Sequence, residues 1–385
     1  MRTAIQILAL LGLCLLCGCG PNNDNPAPEP TPRTVLVYMA ANNDLGLNNW
    51  DARDIAEMRK AVEADALNGG RLLVYHDDYN STPTLFEITK DGNNTLRTYS
   101  TDAAAIDIDR MKEVMSDIKS LAPNKEYGLV LWSHGTGWVE DEGSRSAVTL
   151  NPYSFGAHWN DNGSQAKMKI TSLAKALEGE DFEFIYFDNC HMGTIEVVYE
   201  MRNAARKIVA SATELPLEGM PYDRNIPVFF EKNLDITKAA KNTYDYYCSP
   251  DASTNSCTIS VIDTRQLDNL ASVTGNIMAS APSLPDDYKP IPLFRQSVVA
   301  DGGIYDMSHY ISALDIDASK LNTWRSAYNS AIPYHASTQK SYGLDTSKFS
   351  GLGCNILQKA SDATILGYEN LSWWKNVISR NPALH

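Results

Sequence analysis

The chain has 385 residues, 43% of them apolar, and carries 33 basic against 47 acidic side chains, a formal charge of -14. That balance excludes the long-range positive field that gathers nucleic acid, and no nucleic-acid partner is expected. Acidity favours cationic ligands at short range, although it is more commonly a means of staying soluble.

Arg2 and the apolar run from Ile5 to Leu16 read as a secretory signal, since the run is too short to cross a bilayer. It closes on Leu16-Cys17-Gly18-Cys19, which resembles the lipobox of bacterial lipoproteins, so Cys19 is expected to be the lipidated first residue of the mature chain; plain secretion is the alternative. The Pro- and Asn-rich stretch from Pro21 to Pro32 has nothing to bury and reads as a tether. The expected division is therefore a signal over 1–18, a lipidated tether over 19–33, a main domain over 34–265 and a C-terminal subregion packed on it over 266–385. The expected location is the bacterial cell envelope, attached to a membrane by lipid.

Past the tether, apolar runs rich in β-branched and aromatic residues recur at Thr34 to Met39, Arg71 to Tyr75, Tyr127 to Trp132, Phe182 to Phe187, Lys207 to Ala212 and Thr258 to Ile262. Each has the character of a buried parallel strand. Between them lie helical faces, Ile55-Met58-Val62 and Ile108-Met111-Val114-Met115-Ile118 among them, and a further helix is predicted from Leu267 to Ala279. Alternating strands and helices predict an α/β/α sandwich around a mostly parallel sheet. Residues 139–169 read instead as a long surface connection, acidic at Glu140 to Glu142.

In such a sheet, ligands gather at the carboxyl ends of the strands. The strand ending at Trp132 runs into Ser133-His134-Gly135-Thr136-Gly137-Trp138, and the strand ending at Phe187 runs into Asp188-Asn189-Cys190-His191-Met192-Gly193. A thiol and an imidazole delivered to one edge suit nucleophilic catalysis, because the thiolate is the reactive form and needs a base, a cation or a helix start beside it. A helix predicted from Gly193 to Ala204 would place Cys190 near such a start. Gly135, without a Cβ, would let its N–H join that of Cys190 in an oxyanion hole. The bland readings are a small buried Cys, a satisfied His and, for Asp188, a helix cap. His191 is a poorer base than His134, since adjacent side chains diverge, and His76 follows a strand with nothing to link it to a nucleophile.

Four cysteines remain in the body. Cys248 and Cys257 flank a polar stretch and read as either a bridge or two thiols, while Cys190 and Cys354 have no evident partner. There is no G-x-S-x-G elbow, phosphate-binding G-x-x-x-x-G-K-[ST] loop or H-E-x-x-H zinc helix.

The segments Thr34 to Leu45, Ser133 to Trp138 and Phe187 to Gly193 resemble the opening strand, the His motif and the nucleophile motif of the clostripain family of cysteine peptidases, which have a caspase- and gingipain-like fold. The resemblance implies that His134 is general acid and base, Cys190 the nucleophile and Asp188 the acidic residue receiving a basic substrate side chain, with cleavage after Arg or Lys. A carboxylate at a strand mouth suits that last role independently. Glu214 and Glu218 read either as further walls of the pocket or as ordinary loop charges. Relatives that cut themselves between His and Cys point to Arg145, ahead of Lys167 or Lys169, as a processing site. The chain departs from the family pattern in Asn189 and the bulky His191. The chemistry requires no cofactor; calcium, on Asp77 with Asp78 or on Glu140 to Glu142, is an added expectation. The competing reading is a catalytically silent surface lipoprotein using the same fold to bind, and a third is an acyl transferase or ligase preferring Asn or Asp.

Overall fold

The computed structural model describes residues 32–79, 81–138, 155–160, 165–294, 303–357 and 367–385. In chain order its first half holds β1 (Thr34–Ala41), α1 (Asp44–Leu47), α2 (Trp50–Glu63), β2 (Arg71–Asp78), β3 (Thr84–Thr89), β4 (Gly92–Thr98), α3 (Ile108–Leu121), β5 (Tyr127–Trp132), β6 (Phe155–Trp159), β7 (Gln165–Met168) and α4 (Ile170–Ala176). There follow β8 (Phe184–Asp188), α5 (Ile195–Glu200), β9 (Lys207–Ala210), α6 (Tyr222–Phe229), α7 (Ile236–Tyr247), β10 (Thr258–Asp263), α8 (Leu267–Met278), β11 (Ile304–Asp306), α9 (Met307–Ala313), α10 (Ala318–Ala331), β12 (Tyr334–Ser337), β13 (Lys340–Ser341), β14 (Leu344–Asp345) and β15 (Gly353–Asn355).

Nine of these strands form one sheet in the order β12-β10-β9-β8-β5-β1-β2-β3-β4. The five from β9 to β2 are parallel, as their continuous apolar sequences require when both faces are covered. The two edges are antiparallel, and β10, expected to be parallel, runs against β9. The hairpin β3–β4 escapes the sequence reading because β4, Gly-Asn-Asn-Thr-Leu-Arg-Thr, is mostly exposed and lacks an apolar face.

Strand alternation sends Leu36, Tyr38, Leu129, Leu131, Ile185 and Ile208 to one face, where α3, α4, α5, α8 and α10 contribute Val114, Leu173, Val198, Leu270 and Trp324. Val35, Val37, Val130, Tyr186 and Val209 face the other way, against Met58 of α2, Phe229 of α6 and Ala239 of α7. Each large side chain removed from water in this way contributes roughly 1.5–3 kcal/mol. This is the α/β/α sandwich expected.

Residues beyond 266 are built into the same body. β12 adds to the sheet beside β10, Trp324 on α10 donates its indole N–H to Thr274 on α8 at 2.9 Å, and the Gly353 N–H of β15 reaches the Gly193 carbonyl at 2.9 Å. Glu196, fully buried on α5, accepts the Asn355 N–H and the Tyr368 hydroxyl, each at 2.8 Å. Among the described residues no helix is long and apolar enough to cross a membrane.

Candidate active site

The chain leaves β1 for β2 on one side and later returns to place β5 on the other. The connections therefore diverge between β1 and β5, and a crevice opens at their carboxyl ends. Three neighbouring strands empty into it: Asp44 follows β1, His134 follows β5 and Cys190 follows β8. His134, Asp188 and Cys190 line one small cleft, together with Trp132 and the loop Leu215-Pro216-Leu217.

The His134 loop is fastened from both sides. The Ser133 hydroxyl donates to the Ala40 carbonyl at 2.7 Å, and the Asn189 amide donates to the carbonyls of Ser133 and His134 at 2.5 and 3.3 Å. Asn189 thus ties the imidazole loop to the thiol loop. A methyl group at Gly135 would stand 2.6 Å from the Cys190 carbonyl oxygen, so only glycine permits the two loops to meet this closely.

His134 donates from Nε2 to Asp44 Oδ1 at 2.9 Å. That hydrogen bond holds the Asp44 carboxyl below its ordinary range, and the Lys167 ammonium, pulled down to about 7 by burial, interacts with the same carboxylate. Asp44 is the residue that sequence reasoning missed. Its signal was a carboxylate just past the end of β1, the strand that pairs with the His-bearing β5, which becomes informative only once that pairing is known.

Cys190 retains some exposed surface, yet burial of its sulfur pushes the thiol up to about 12, with the Glu214 and Asp188 charges adding to the shift. The sulfur accepts the Leu215 N–H at 3.3 Å and faces the Leu215 carbonyl at 3.6 Å. The expected support from a helix start is not there, because the predicted helix is shorter than expected and begins at Ile195 with Thr194 as its cap. Cys190 and His191 lie in the preceding turn, where His191 adopts a left-handed φ of 61°. In this conformation the sulfur is a thiol at neutral pH.

Asp188 caps no helix. It is buried, accepting the Met220 N–H at 3.0 Å and the Tyr222 hydroxyl at 2.9 Å, and Gly219, at φ 63°, has no Cβ to collide with its carboxylate. Burial raises its carboxyl to about 7 despite those two donors. Behind it Asp54, bound to the Trp132 indole N–H at 2.7 Å, is likewise raised by burial and by the Asp188 charge. The cleft beside these groups is small, about 50 Å³, and the Leu215–Leu217 loop forms one of its walls. A much roomier cleft, about 1180 Å³ between Tyr79 and Trp159, is lined by no thiol.

Other predicted residues fall elsewhere. Glu218 is buried and accepts the Ser253 N–H at 3.2 Å, while Glu214 lines a separate small cavity with His191 and Phe294; neither lines the cleft of Cys190. His191 donates from Nδ1 to the Ala212 carbonyl at 3.3 Å, and burial drives it down to about 3, keeping it neutral. Cys248 and Cys257 are free thiols, one exposed and one buried, not a bridge. Asp77 and Asp78 do not share a site, because consecutive strand residues point to opposite faces: Asp77 accepts the Ala105 N–H at 2.8 Å, while Asp78 lies with Asp51 and His76. Arg145, Cys19 and Glu140 to Glu142 lie outside the described residues.

A model of the clostripain family matches residues 37–351. Among solved structures the chain is similar to an inactive zymogen C11 protease from Parabacteroides distasonis, with 30% identity and a TM-score of 0.76 over 91% of this chain and 99% of that one. It shares its fold with iotapain, a secreted C11 cysteine protease from Bacteroides thetaiotaomicron, at 24% identity and a TM-score of 0.76 over 91% and 99%. A secreted C11 cysteine protease from the same organism, in complex with an irreversible peptide inhibitor, is 26% identical with a TM-score of 0.72 over 90% and 98%. No curated protein matches the chain significantly.

Proposed function

The chain belongs to the clostripain family and is a cysteine protease, and on that premise we propose that it is an endopeptidase cutting after Arg or Lys, with Cys190 as nucleophile and His134 as general acid and base. The observation that carries this reading is the convergence of thiol, imidazole and buried carboxylate on one cleft. Sγ gives its proton to His134 and attacks the scissile carbonyl, whose developing oxyanion meets the N–H groups of Gly135 and Cys190. The C–N bond then breaks as His134 passes the proton to the leaving amine. Water, deprotonated by His134, attacks the thioester, and the thiol is restored as the acid leaves. With Nε2 held by Asp44, Nδ1 is the ring nitrogen left for these transfers.

Ionised Asp188 is the partner of the substrate's guanidinium or ammonium, a charge-assisted pairing in a desolvated place. The narrow cleft and the protonated thiol favour a latent form, activated by a cut after Arg145. Lys167 and Lys169 are poorer sites, since one lies inside β7 and the other precedes α4. Cys19 is the lipid-bearing residue, 19–33 the tether, 34–265 the catalytic domain and 266–385 the subregion that completes it, placing the enzyme on a membrane of the bacterial cell envelope with proteins or peptides carrying basic residues as substrates. No step of the chemistry calls for calcium.

Fluorogenic peptides ending in Arg, Lys, Asn or Asp, offered to the wild type and to Cys190→Ala, test the assignment alongside mass spectrometry of both purified proteins. Cleavage after Arg or Lys by the wild type alone, with an internal cut after Arg145 missing from the variant, is expected. Equal hydrolysis by both proteins, or preference for Asn or Asp, would overturn it.

A further inference from the structure

We infer that Asp51, His76 and Asp78 form a binding site for a divalent transition cation, with Zn²⁺ the best chemical fit, outside the cleft of Cys190. His76 and Asp78 stand two residues apart on β2 and so share a face, and Asp51, in the first turn of α2, comes down over them. One ligand atom from each lies within 4.8 Å of the others, with His76 Nε2 and Asp51 Oδ2 at 2.6 Å. A tetrahedral zinc with bonds of about 2.0–2.1 Å has ligand-to-ligand edges of roughly 3.3 Å, so side-chain adjustments suffice to admit the ion.

The second observation is an unsatisfied atom. The Asp51 side chain is 4% exposed, and its Oδ1 has no hydrogen-bond partner among the described residues. Buried carboxylate oxygens are ordinarily paired, and an orphan calls for a missing donor or ion. Asp51, His76 and Asp78 together line a cleft of about 450 Å³. Arg59 also lines that cleft but donates to Asn93 at 3.0 Å. Asp77 faces away, toward Ala105 and His158.

The donor set chooses among ions. An imidazole with two carboxylates suits zinc and its first-row neighbours, whereas calcium and magnesium take oxygen ligands. Two negative charges offset the 2+ charge, and the fourth position is left to water. The ion would pin the first turn of α2 to the end of β2, beside the α1 segment that presents Asp44 to His134. The backbone of that segment at Gly46 already lies against Asp78.

The test titrates Zn²⁺ calorimetrically into the untagged full chain carrying Cys190→Ala, so that the thiol and His134 cannot capture the metal. One ion per chain and a rise in unfolding temperature with zinc are expected. In this background Asp51→Asn and His76→Gln should each weaken affinity at least tenfold, while Cys248→Ser leaves it unchanged. X-ray absorption at the zinc edge should show one imidazole with oxygen neighbours. Should Asp51→Asn fail to fold, Asp78→Asn, nearer the surface, gives the same readout. Unchanged affinity in the folded variants, a sulfur neighbour, or tighter binding of Ca²⁺ than of Zn²⁺ overturns the assignment.

Discussion

Replacing Asp188 by Asn should move stability and activity in opposite directions. Asn is isosteric, can still accept the Met220 N–H and can donate to the Tyr222 oxygen, so the packing of the cleft survives while the charge is lost. In the folded chain the carboxyl is raised from its usual 3.8 to about 7, first by burial. At 1.36 kcal/mol for each tenfold change, that is a penalty on the charged form on the order of 4 kcal/mol. A raised value means the folded chain holds the proton more tightly than the unfolded one. The stability tied to this group is therefore fully present below about pH 4 and lost as pH rises through about 7. In the Cys190→Ala background, which prevents self-cutting, Asp188→Asn should unfold at a higher temperature than its parent at about pH 8 and at a similar one at about pH 4. Toward substrate the sign reverses: losing one partner of a desolvated charge pair costs about 2–5 kcal/mol, or roughly 30-fold to several thousand-fold in kcat/KM on Arg peptides. The assay is the ratio of kcat/KM for an Arg peptide to that for a neutral Gln peptide between about pH 5 and about pH 9, which cancels ionisations common to both. The wild-type ratio should climb through about pH 7 and the variant's should stay flat. A variant that keeps its preference for Arg, or that is less stable than its parent at about pH 8, refutes the argument.

Cys190→Ala should lose at least about a thousandfold in hydrolysis with little change in unfolding temperature; residual activity near wild type would assign the chemistry elsewhere. Alkylation of Cys190, followed by peptide mapping to separate it from exposed Cys248, should be slow in the uncut chain at about pH 8 and still be rising well above it, because burial holds the thiol up to about 12; a plateau at the ordinary thiol value of about 8.5 would contradict the enclosed sulfur. Asp44→Asn should lower kcat by about a hundredfold or more while leaving KM near wild type, since His134 loses the partner that orients it; an effect confined to KM would make Asp44 a substrate contact instead. The hydrogen bond from His134 also depresses the Asp44 carboxyl, so its share of stability is present above about pH 4 and lost on acidification, and Asp44→Asn should flatten that acid limb in thermal unfolding.

The parts of this site that were readable in the sequence are those written in one stretch of chain. β5 and β8 announce themselves by Tyr-Gly-Leu-Val-Leu-Trp and Phe-Ile-Tyr-Phe-Asp, and the residues that follow them arrive at the strand mouths as expected. What depends on a partner from elsewhere was not readable. Asp44 matters because β1 lies beside β5, and Asn189 because its amide reaches across to the His134 loop. Helical spacing after Gly193 predicted a helix start at the thiol, but the chain spends Cys190 to Gly193 on turning, so the dipole argument lost its geometry. Glu214 and Glu218 follow the right strand, yet nothing in a loop sequence says which way a side chain faces.

The residues just after the nucleophile are clasped by the far end of the polypeptide. Gly193 bonds to Gly353, and Glu196 takes donors 159 and 172 positions downstream. Ribosomes deliver those donors well after the nucleophile. A nascent chain therefore owns its sulfur and its imidazole before it owns the clasp on the turn and helix that follow the nucleophile.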